Sequence, residues 1–298
     1  MNSWVVASPC TSRCVTSASH ADVTGLASGD SAGALPARVP TATALRRYTR
    51  FVAALGSAVA AGTGIADPAV LRRHARALVD ALGISLDATG PLRVPDTTRG
   101  TLIVANHVSW LDVVAALAVD PVPLLAKREV AGWPVVGALS RRAGTRFVDR
   151  DALRELVGVV RELTEHLDSG GSVMVFPQAT TWCTAPGGPF RRAAFQAALD
   201  AGAPVRPVGI DFSQNGRVST AASYVGDATL EASVRRVAFS EGLVARVTAC
   251  TPLRPDGHDR RSLAAAAYAA VCEAVGRPVP VEGPNAVPGE TDGPTTGP

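Results

Sequence analysis

The sequence lacks several features that mark large classes of protein. Its 298 residues contain no uninterrupted apolar run close to the roughly 20 residues that a membrane-spanning helix needs. Five cysteines stand at irregular spacings that fit neither a disulfide framework nor a zinc-binding motif. The net charge of +3 is too small to indicate a nucleic-acid partner. These absences favour a globular protein and give no indication of a membrane-spanning helix or a metal-binding site.

Lysine is also scarce, and both ends of the chain have a biased composition. Among 29 Lys and Arg residues, Lys127 is the single lysine. Residues 1–44 are rich in Ser, Thr, Ala, Gly and Pro, and residues 278–298 in Pro and Gly, so both are predicted to be disordered. The body between them, 45–277, is long enough for a sizeable core, because chains of this size bury about three-quarters of their unfolded surface. Cysteines without a disulfide pattern are typical of a reducing, cytoplasmic compartment.

Two basic helices are predicted at the start of the body, within 45–83. Apolar residues recur there at helical spacing, with arginines elsewhere on the surface: Leu45, Tyr48, Val52 and Leu55 with Arg46, Arg47 and Arg50, then Leu71, Leu78, Val79 and Leu82 with Arg72, Arg73 and Arg76. Such helices can lie on a membrane surface with their cations towards anionic lipid. They can equally be surface helices of a globular core, and periodicity does not separate the two interpretations.

From residue 100 onwards, short apolar runs alternate with helical patterns. The predicted strands are 101–106, 122–126, 145–148, 172–176, 205–212 and 244–250. The predicted helices are 109–119, 133–142, 151–168, 191–201 and 259–275. This alternation predicts an α/β protein with a largely parallel or mixed sheet flanked by helices. The helical pair precedes this core, whose motif-bearing part spans 100–250.

A histidine and an aspartate stand where the first strand of this core meets its first helix. His107 follows the run 101–106, and Asp112 comes five residues later. If His107 occupies the corner before the helix, an aspartate in the first turn can accept its Nδ1 proton and leave Nε2 as a base. The alternative is structural, because Ser109 followed by Asp112 has the spacing of a capping box.

Four motifs, in order, resemble those of the glycerolipid acyltransferase family, which includes 1-acylglycerol-3-phosphate acyltransferases. Asn106-His107-x4-Asp112 resembles the first motif, and residues 144–150 (GTRFVDR) resemble the second, G-x-x-F-[IV]-[DE]-R. Residues 175–181 (VFPQATT) resemble the third, usually F-P-E-G-T, and residues 203–208 (APVRPV) the fourth. The resemblance covers about 100–250, with the expected strands and helices between the motifs.

The resemblance implies a reaction and a role for individual residues. His107 would deprotonate a hydroxyl of the acceptor, and Asp112 would orient His107 and stabilise its cation. Arg150, in the second motif, would bind an acceptor phosphate, a role that suits a guanidinium because it can hold two phosphate oxygens at once. The other candidate substrate-binding residues are Arg146, Lys127, Gln178 and Thr180.

The implied substrates are a lysophospholipid acceptor, 1-acylglycerol-3-phosphate, and an acyl thioester donor, either acyl-CoA or acyl carrier protein. No cofactor or metal is implied, because a thioester is activated enough for a base and hydrogen-bond donors. A lipid acceptor implies a peripheral protein of phospholipid biosynthesis at the cytoplasmic face of the cell membrane, docked by the helical pair.

The third motif departs from the family pattern at two positions. Gln178 replaces the usual glutamate, so the side chain keeps an acceptor oxygen, loses the charge and gains a donor. Ala179 replaces the usual glycine and is expected to keep this position out of positive-φ conformations. Two alternatives stay open. One is a lyso-ornithine lipid acyltransferase, favoured by Thr181 where phosphatidate-forming members usually have arginine, and the other is a lipid-binding homologue with impaired catalysis.

Overall fold

The computed structural model describes residues 8–16, 37–95, 97–148 and 153–277. The helices are α1 (Arg13–Thr16), α2 (Thr41–Ala60), α3 (Pro68–Ala81), α4 (Trp110–Val119), α5 (Arg128–Ala131), α6 (Val136–Arg142), α7 (Leu153–Asp168), α8 (Ala193–Ala201), α9 (Leu230–Phe239) and α10 (Arg260–Ala274). A 3₁₀ turn, Gly62–Ala66, joins α2 to α3. The strands are β1 (Ser85–Thr89), β2 (Leu102–Ala105), β3 (Leu125–Lys127), β4 (Arg146–Val148), β5 (Val173–Val175), β6 (Val205–Gln214), β7 (Arg217–Val218) and β8 (Leu243–Ala249).

The main sheet is mixed, which confirms the predicted fold class. Its strand order is β1-β8-β6-β2-β5, and β7 pairs with β6. β2 runs parallel to β5 and β6, whereas β8 runs antiparallel to β6 and parallel to β1. β3 and β4 form a separate parallel pair, joined to β5 by a parallel bridge between Leu124 and Met174. β2, β3, β4 and β5 therefore all end at the same edge of the structure.

Helices cover both faces of the sheet and divide the core in two. Ile103 and Ala105 face the cluster formed with α2, α3 and α4. Leu102 and Val104 face the cluster formed with α7, α8 and α10. Successive residues of a strand point to opposite faces, and both faces of β2 are covered, so all four of its residues are apolar and buried.

The structure departs from the predicted boundaries mainly before residue 100. α2 begins at Thr41, inside the range 1–44 that was predicted to be disordered. Residues 8–16 contain α1, and Cys10 contacts Cys183. This contact is tertiary, so the aperiodic local sequence does not reveal it. Residues 1–7 and 17–36 of the predicted leader, and the predicted tail 278–298, lie outside the described residues.

Four further elements were not predicted: β1, α9 and the short α5 and β7. β1 lies at one end of the strand order, and four of its five residues are exposed, so the strand carries no apolar alternation. α9 begins at an N-cap threonine, Thr229, whose hydroxyl accepts a hydrogen bond from the Ala232 backbone at 3.2 Å.

The predicted helical pair is present as α2 and α3, which pack against each other. One stripe of α2 is buried, at Ala44, Phe51 and Ala58. Each of these buried residues is followed directly by an exposed apolar residue: Leu45, Val52 and Val59. Within the described residues, no helix has both the length and the apolar character required to cross a bilayer.

Two arginines of the helical pair donate hydrogen bonds to backbone carbonyl groups of other elements. Arg47 donates to the carbonyl of Ser240 at 2.7 Å, and Arg72 donates to the carbonyl of Val119 at 2.5 Å. Partial burial lowers the pKa of Arg47, with a smaller contribution from the neighbouring Arg46. These two guanidiniums fasten α2 to the end of α9 and α3 to the end of α4.

Candidate active site

The carboxyl edge of the parallel strands collects three of the residues singled out from the sequence. His107 follows β2, Gln178 follows β5, and Lys127 ends β3. Arg150 follows β4 in the chain but lies outside the described residues. The topology therefore brings the first and third motifs together, although His107 and Gln178 stand 71 positions apart in the sequence.

The imidazole of His107 and the carboxylate of Asp112 are in direct contact. His107 Nδ1 lies 2.8 Å from Asp112 Oδ2. The same oxygen accepts the backbone N–H groups of Val108 and Ser109 at 2.6 and 2.8 Å. Asp112 is fully buried, and its other oxygen, Oδ1, has no hydrogen-bond partner among the described residues. Its charge is therefore compensated through Oδ2 alone, where a positive charge on the imidazole would be stabilised.

The start of α4 explains how Asp112 reaches His107. Ser109 is the N-cap, and its hydroxyl accepts the Leu111 N–H at 3.2 Å. Asp112, three residues later, bonds back to the Ser109 backbone and completes a capping box. The two interpretations of this spacing therefore both hold, because the carboxylate that caps the helix also holds the imidazole.

Asn106 fixes the other side of the histidine. Its side-chain amide accepts from the Ile210 N–H and donates to the Ile210 carbonyl, both at 2.8 Å. This pair of bonds continues the β2–β6 pairing one residue past the end of β2 through a side chain. The sequence analysis treated Asn106 as part of a motif and missed this role.

The arrangement leaves His107 suited to act as a base. In the neutral imidazole, a carboxylate at Nδ1 favours the tautomer with the proton on Nδ1, which leaves the lone pair on Nε2. The ring stacks on Phe176, with centroids 4.2 Å apart, and its side chain keeps 21% of its accessible surface. No described residue forms a hydrogen bond with Nε2, which stays available for a substrate hydroxyl.

The side chain of Gln178 is buried and binds the backbone of His107; it does not face an open site. Its Oε1 accepts the His107 N–H at 2.7 Å. Its Nε2 donates to the carbonyls of Pro186 and Gly188 at 2.5 and 2.6 Å. Because an N–H can only donate and a carbonyl can only accept, these three partners fix which way the amide points. The amide oxygen and the amide nitrogen are thus both engaged by backbone groups, and the residue is only 2% exposed.

The residues that follow Gln178 also contact the backbone of His107 and its surroundings. The Trp182 N–H donates to the His107 carbonyl at 2.8 Å, so both polar groups of the His107 backbone bind this loop. Thr181 donates its hydroxyl to the Tyr224 carbonyl at 2.5 Å. Thr180 is partly exposed. The sequence analysis missed Trp182, which lies outside the motif.

Ala179 adopts the conformation that was expected to exclude it. Its φ is 62°, in the left-handed region, so the expectation that alanine keeps out of it is wrong. The surrounding bonds decide the outcome: the Ala179 N–H donates to Phe176 at 3.1 Å, and the neighbouring Gln178 is fixed at both ends. Such strain, roughly 1–2 kcal/mol for an L-residue, persists where the surroundings over-determine the backbone.

The remaining predicted residues fall in different places. Lys127 is exposed at the carboxyl end of β3, on the same edge as His107. The side chain of Arg146 lies against α7, with its guanidinium 3.4 Å from His166 Nδ1 and 3.9 Å from a Glu162 oxygen. α7 covers the face of the sheet opposite α4, so Arg146 lies on the α7 side of the sheet, and its role in substrate binding stays a prediction. The strand was predicted correctly, but its side-chain direction depends on the sheet packing.

Comparisons with known proteins agree with this architecture. The profile of the Acyltransferase family matches residues 86–211. A 1-acyl-sn-glycerol-3-phosphate acyltransferase of Neisseria meningitidis is 35% identical over 189 residues, which cover 63% of this chain and 73% of the relative. A lyso-ornithine lipid O-acyltransferase of Pseudomonas aeruginosa is 34% identical over 170 residues, covering 57% of this chain and 66% of the relative.

A solved structure shares the fold. The 1-acyl-sn-glycerophosphate acyltransferase of Thermotoga maritima superimposes with a TM-score of 0.55 at 20% identity, over 79% of this chain and 94% of that one. The resemblance inferred from the four motifs is thus confirmed by sequence relatives, and the α/β architecture by a solved structure. The chain belongs to the glycerolipid acyltransferase family.

Proposed function

We propose that this protein transfers a fatty acyl group from a thioester donor to the free hydroxyl of a lysophospholipid, with 1-acylglycerol-3-phosphate as the acceptor. The observation that carries the proposal is the contact between His107 Nδ1 and the buried carboxylate of Asp112, with Nε2 open at the carboxyl edge of the sheet. The relative from Neisseria meningitidis, a 1-acyl-sn-glycerol-3-phosphate acyltransferase, supports the choice of acceptor.

The reaction follows from the position of the proton. Nε2 of His107 removes the proton of the acceptor hydroxyl while its oxygen attacks the thioester carbonyl carbon, and Asp112 stabilises the imidazolium that forms. The C–O bond of the product ester forms, and the C–S bond of the thioester breaks. The proton passes from Nε2 to the leaving thiolate. General-base assistance of this kind contributes typically about 10²–10⁴-fold.

We assign the acceptor headgroup to two positively charged side chains, Arg150 and Lys127. In this proposal Arg150 binds the acceptor phosphate as a two-pronged donor, and Lys127 adds a point charge. Lys127 supports this role because its side chain is exposed at the end of β3 and is not held in an ion pair with another described residue.

A second candidate acceptor is a lyso-ornithine lipid, which carries a hydroxyl but no phosphate. Four of the relatives are lyso-ornithine lipid O-acyltransferases. Thr181 favours this candidate, because it stands where phosphatidate-forming members usually have arginine and its hydroxyl is bonded to the Tyr224 carbonyl.

The test is acyl transfer by the purified full chain to lysophosphatidate and to lyso-ornithine lipid, each with acyl-CoA and with acyl carrier protein as donor. Transfer to lysophosphatidate supports the main proposal and identifies the donor. Transfer to the ornithine lipid alone replaces the acceptor. No transfer in any of the four arms, by a folded protein, would overturn the enzymatic proposal and favour a lipid-binding homologue.

The exposed stripe on α2 supports a peripheral site at the cytoplasmic face of the membrane. Leu45, Val52 and Val59 are 62%, 50% and 39% exposed. The buried side of α2 contacts the start of α4 through Phe51 and Trp110, whose ring centroids are 5.9 Å apart. The stripe therefore lies on the helix that packs against the first residue of α4, the helix that carries Asp112.

Substitution of one stripe residue tests the membrane contact. Val52→Glu should weaken cosedimentation with phosphatidylglycerol vesicles by about tenfold, because inserting a valine is worth roughly 1.5–3 kcal/mol. Val218→Glu is the matched control, since Val218 is 54% exposed on β7 and lies outside the stripe. Equal binding by wild type and Val52→Glu would refute the stripe as the docking surface.

A further inference from the structure

Three cysteines from distant parts of the chain meet beside the loop of the third motif. Cys10 and Cys14 come from the segment 8–16, and Cys183 follows Trp182 in the loop that binds the His107 backbone. Their sulfur atoms all lie within 4.8 Å of one another, and the Sγ atoms of Cys10 and Cys183 are 3.0 Å apart. The irregular cysteine spacing gave no reason to expect such a cluster.

The segment 8–16 is shaped to present two of the sulfurs together. The Cys14 N–H donates to the Thr11 carbonyl at 3.0 Å, which begins the single helical turn of α1. Cys14 stands four residues after Cys10, and in this segment their sulfur atoms lie within 4.8 Å of each other. The Cys183 N–H donates to the Cys10 sulfur at 3.3 Å, a bond that favours a negatively charged sulfur.

The region around Gly226 leaves space for the backbone of the segment 8–16. A Cβ atom at Gly226 would come within 2.9 Å of the Ser12 nitrogen. Gly226 also has a φ of 64°, in the region that favours glycine. The Ser223 hydroxyl holds the Cys183 carbonyl from the other side. The segment is therefore seated closely on the loop, rather than brought there by the sulfurs alone.

We propose that Cys10, Cys14 and Cys183 form a thiolate site for Zn²⁺. Three thiolates on a tetrahedral zinc, with Zn–S distances of about 2.3 Å, stand roughly 3.8 Å apart. The distances between sulfur atoms in the cluster, from 3.0 Å up to 4.8 Å, bracket this value. A water molecule can supply the fourth ligand. Soft sulfur ligands select zinc or Cu⁺ over the hard cations.

A cation fits this arrangement. Three sulfur atoms within 4.8 Å of one another can all coordinate one metal ion, whose positive charge offsets the repulsion between thiolates at that distance.

The main competing interpretation is a disulfide between Cys10 and Cys183. A disulfide uses two sulfurs and gives no reason for the third to converge. The proposal therefore rests on Cys14, and the experiment is built around that residue. Cys250, which is half-buried outside the cluster, provides a matched control.

The full-length chain is purified under reducing conditions without chelator, and its zinc content is measured by elemental analysis. We expect about one Zn²⁺ per chain in the wild type and in Cys250→Ser, and at least about tenfold less in Cys10→Ser and Cys14→Ser. Wild type carrying no zinc would overturn the proposal. So would a Cys10–Cys183 disulfide, mapped by mass spectrometry, that forms in Cys14→Ser as readily as in the wild type.

A measurement on the unmodified chain guards against variants that lose zinc by losing their fold. Chelator-treated wild type is titrated with Co²⁺, and the sulfur-to-metal charge-transfer absorption is recorded. Absorption corresponding to three thiolates, displaced by Zn²⁺, supports the site. A Co²⁺ spectrum without thiolate absorption would overturn it.

Discussion

The substitution Gln178→Glu restores the residue that the third motif usually has, and the structure predicts that it harms this protein. The wild-type amide donates to two carbonyls, those of Pro186 and Gly188, at 2.5 and 2.6 Å. A carboxylate keeps the bond from the His107 N–H but places its second oxygen against both carbonyl oxygens. The substitution therefore removes two donors and adds a buried charge of the wrong sign.

The magnitude follows from those contacts. Each carbonyl left without its donor costs about 1–3 kcal/mol, so the loss of both donors costs about 2–6 kcal/mol. We therefore expect Gln178→Glu to lower the free energy of unfolding by about 2–6 kcal/mol at neutral pH. Protonation restores one donor, so the folded state raises the pKa of the new carboxyl above its unfolded value of about 4.3.

The sign of the pH dependence distinguishes this mechanism from simple loss of packing. Between the unfolded and the folded pKa of the new carboxyl, the native state holds more protons, so stability falls as the pH rises. The stability deficit of Gln178→Glu is therefore smallest below about pH 4.3 and grows above it, by up to about 1.4 kcal/mol per pH unit. Gln178→Met, which removes the same bonds without a charge, should show a deficit that does not change with pH.

The assay is urea unfolding of wild type, Gln178→Glu and Gln178→Met at several pH values from 4 to 8, with acyl transfer measured in parallel. We expect activity to fall in Gln178→Glu, because the 186–188 segment and the His107 backbone share this amide. A Gln178→Glu protein that matches wild type in stability at pH 8, or exceeds it in activity, would refute the assigned hydrogen bonds.

The remaining predictions concern the base, the strained alanine and the headgroup. His107→Ala should reduce acyl transfer by at least about 10²-fold, with only a small change in melting temperature because Asp112 keeps two backbone donors; retained activity would remove the base assignment. Ala179→Gly should raise the free energy of unfolding by about 1 kcal/mol by relieving a left-handed alanine, and a lower melting temperature would contradict that account. Arg150→Ala should raise the KM for lysophosphatidate by roughly tenfold or more, about 1.4 kcal/mol of binding, while leaving the donor KM unchanged; equal effects on both would argue against a headgroup role.

Much of this protein could be predicted from local sequence. The apolar run 101–106 becomes β2, because a strand covered on both faces needs no polar side. The spacing of Ser109 and Asp112 predicts the start of α4, and a carboxylate in the first turn of a helix lies close to the residues just before it. The histidine-aspartate contact was therefore predictable, since both its residues belong to one strand-helix corner.

Only the tertiary structure decided which residues from separate segments meet. Gln178 reaches the His107 backbone because β2 and β5 are neighbours in the sheet, and Arg146 turns to α7 because of the face on which its strand presents it. Ala179 takes a conformation that its own side chain disfavours, since bonds from several segments fix the surrounding chain. Cys10, Cys14 and Cys183 converge although nothing in their spacing predicts it. Local sequence determines the elements because their hydrogen bonds and periodicity are local, whereas contacts between distant segments depend on how all the elements pack together.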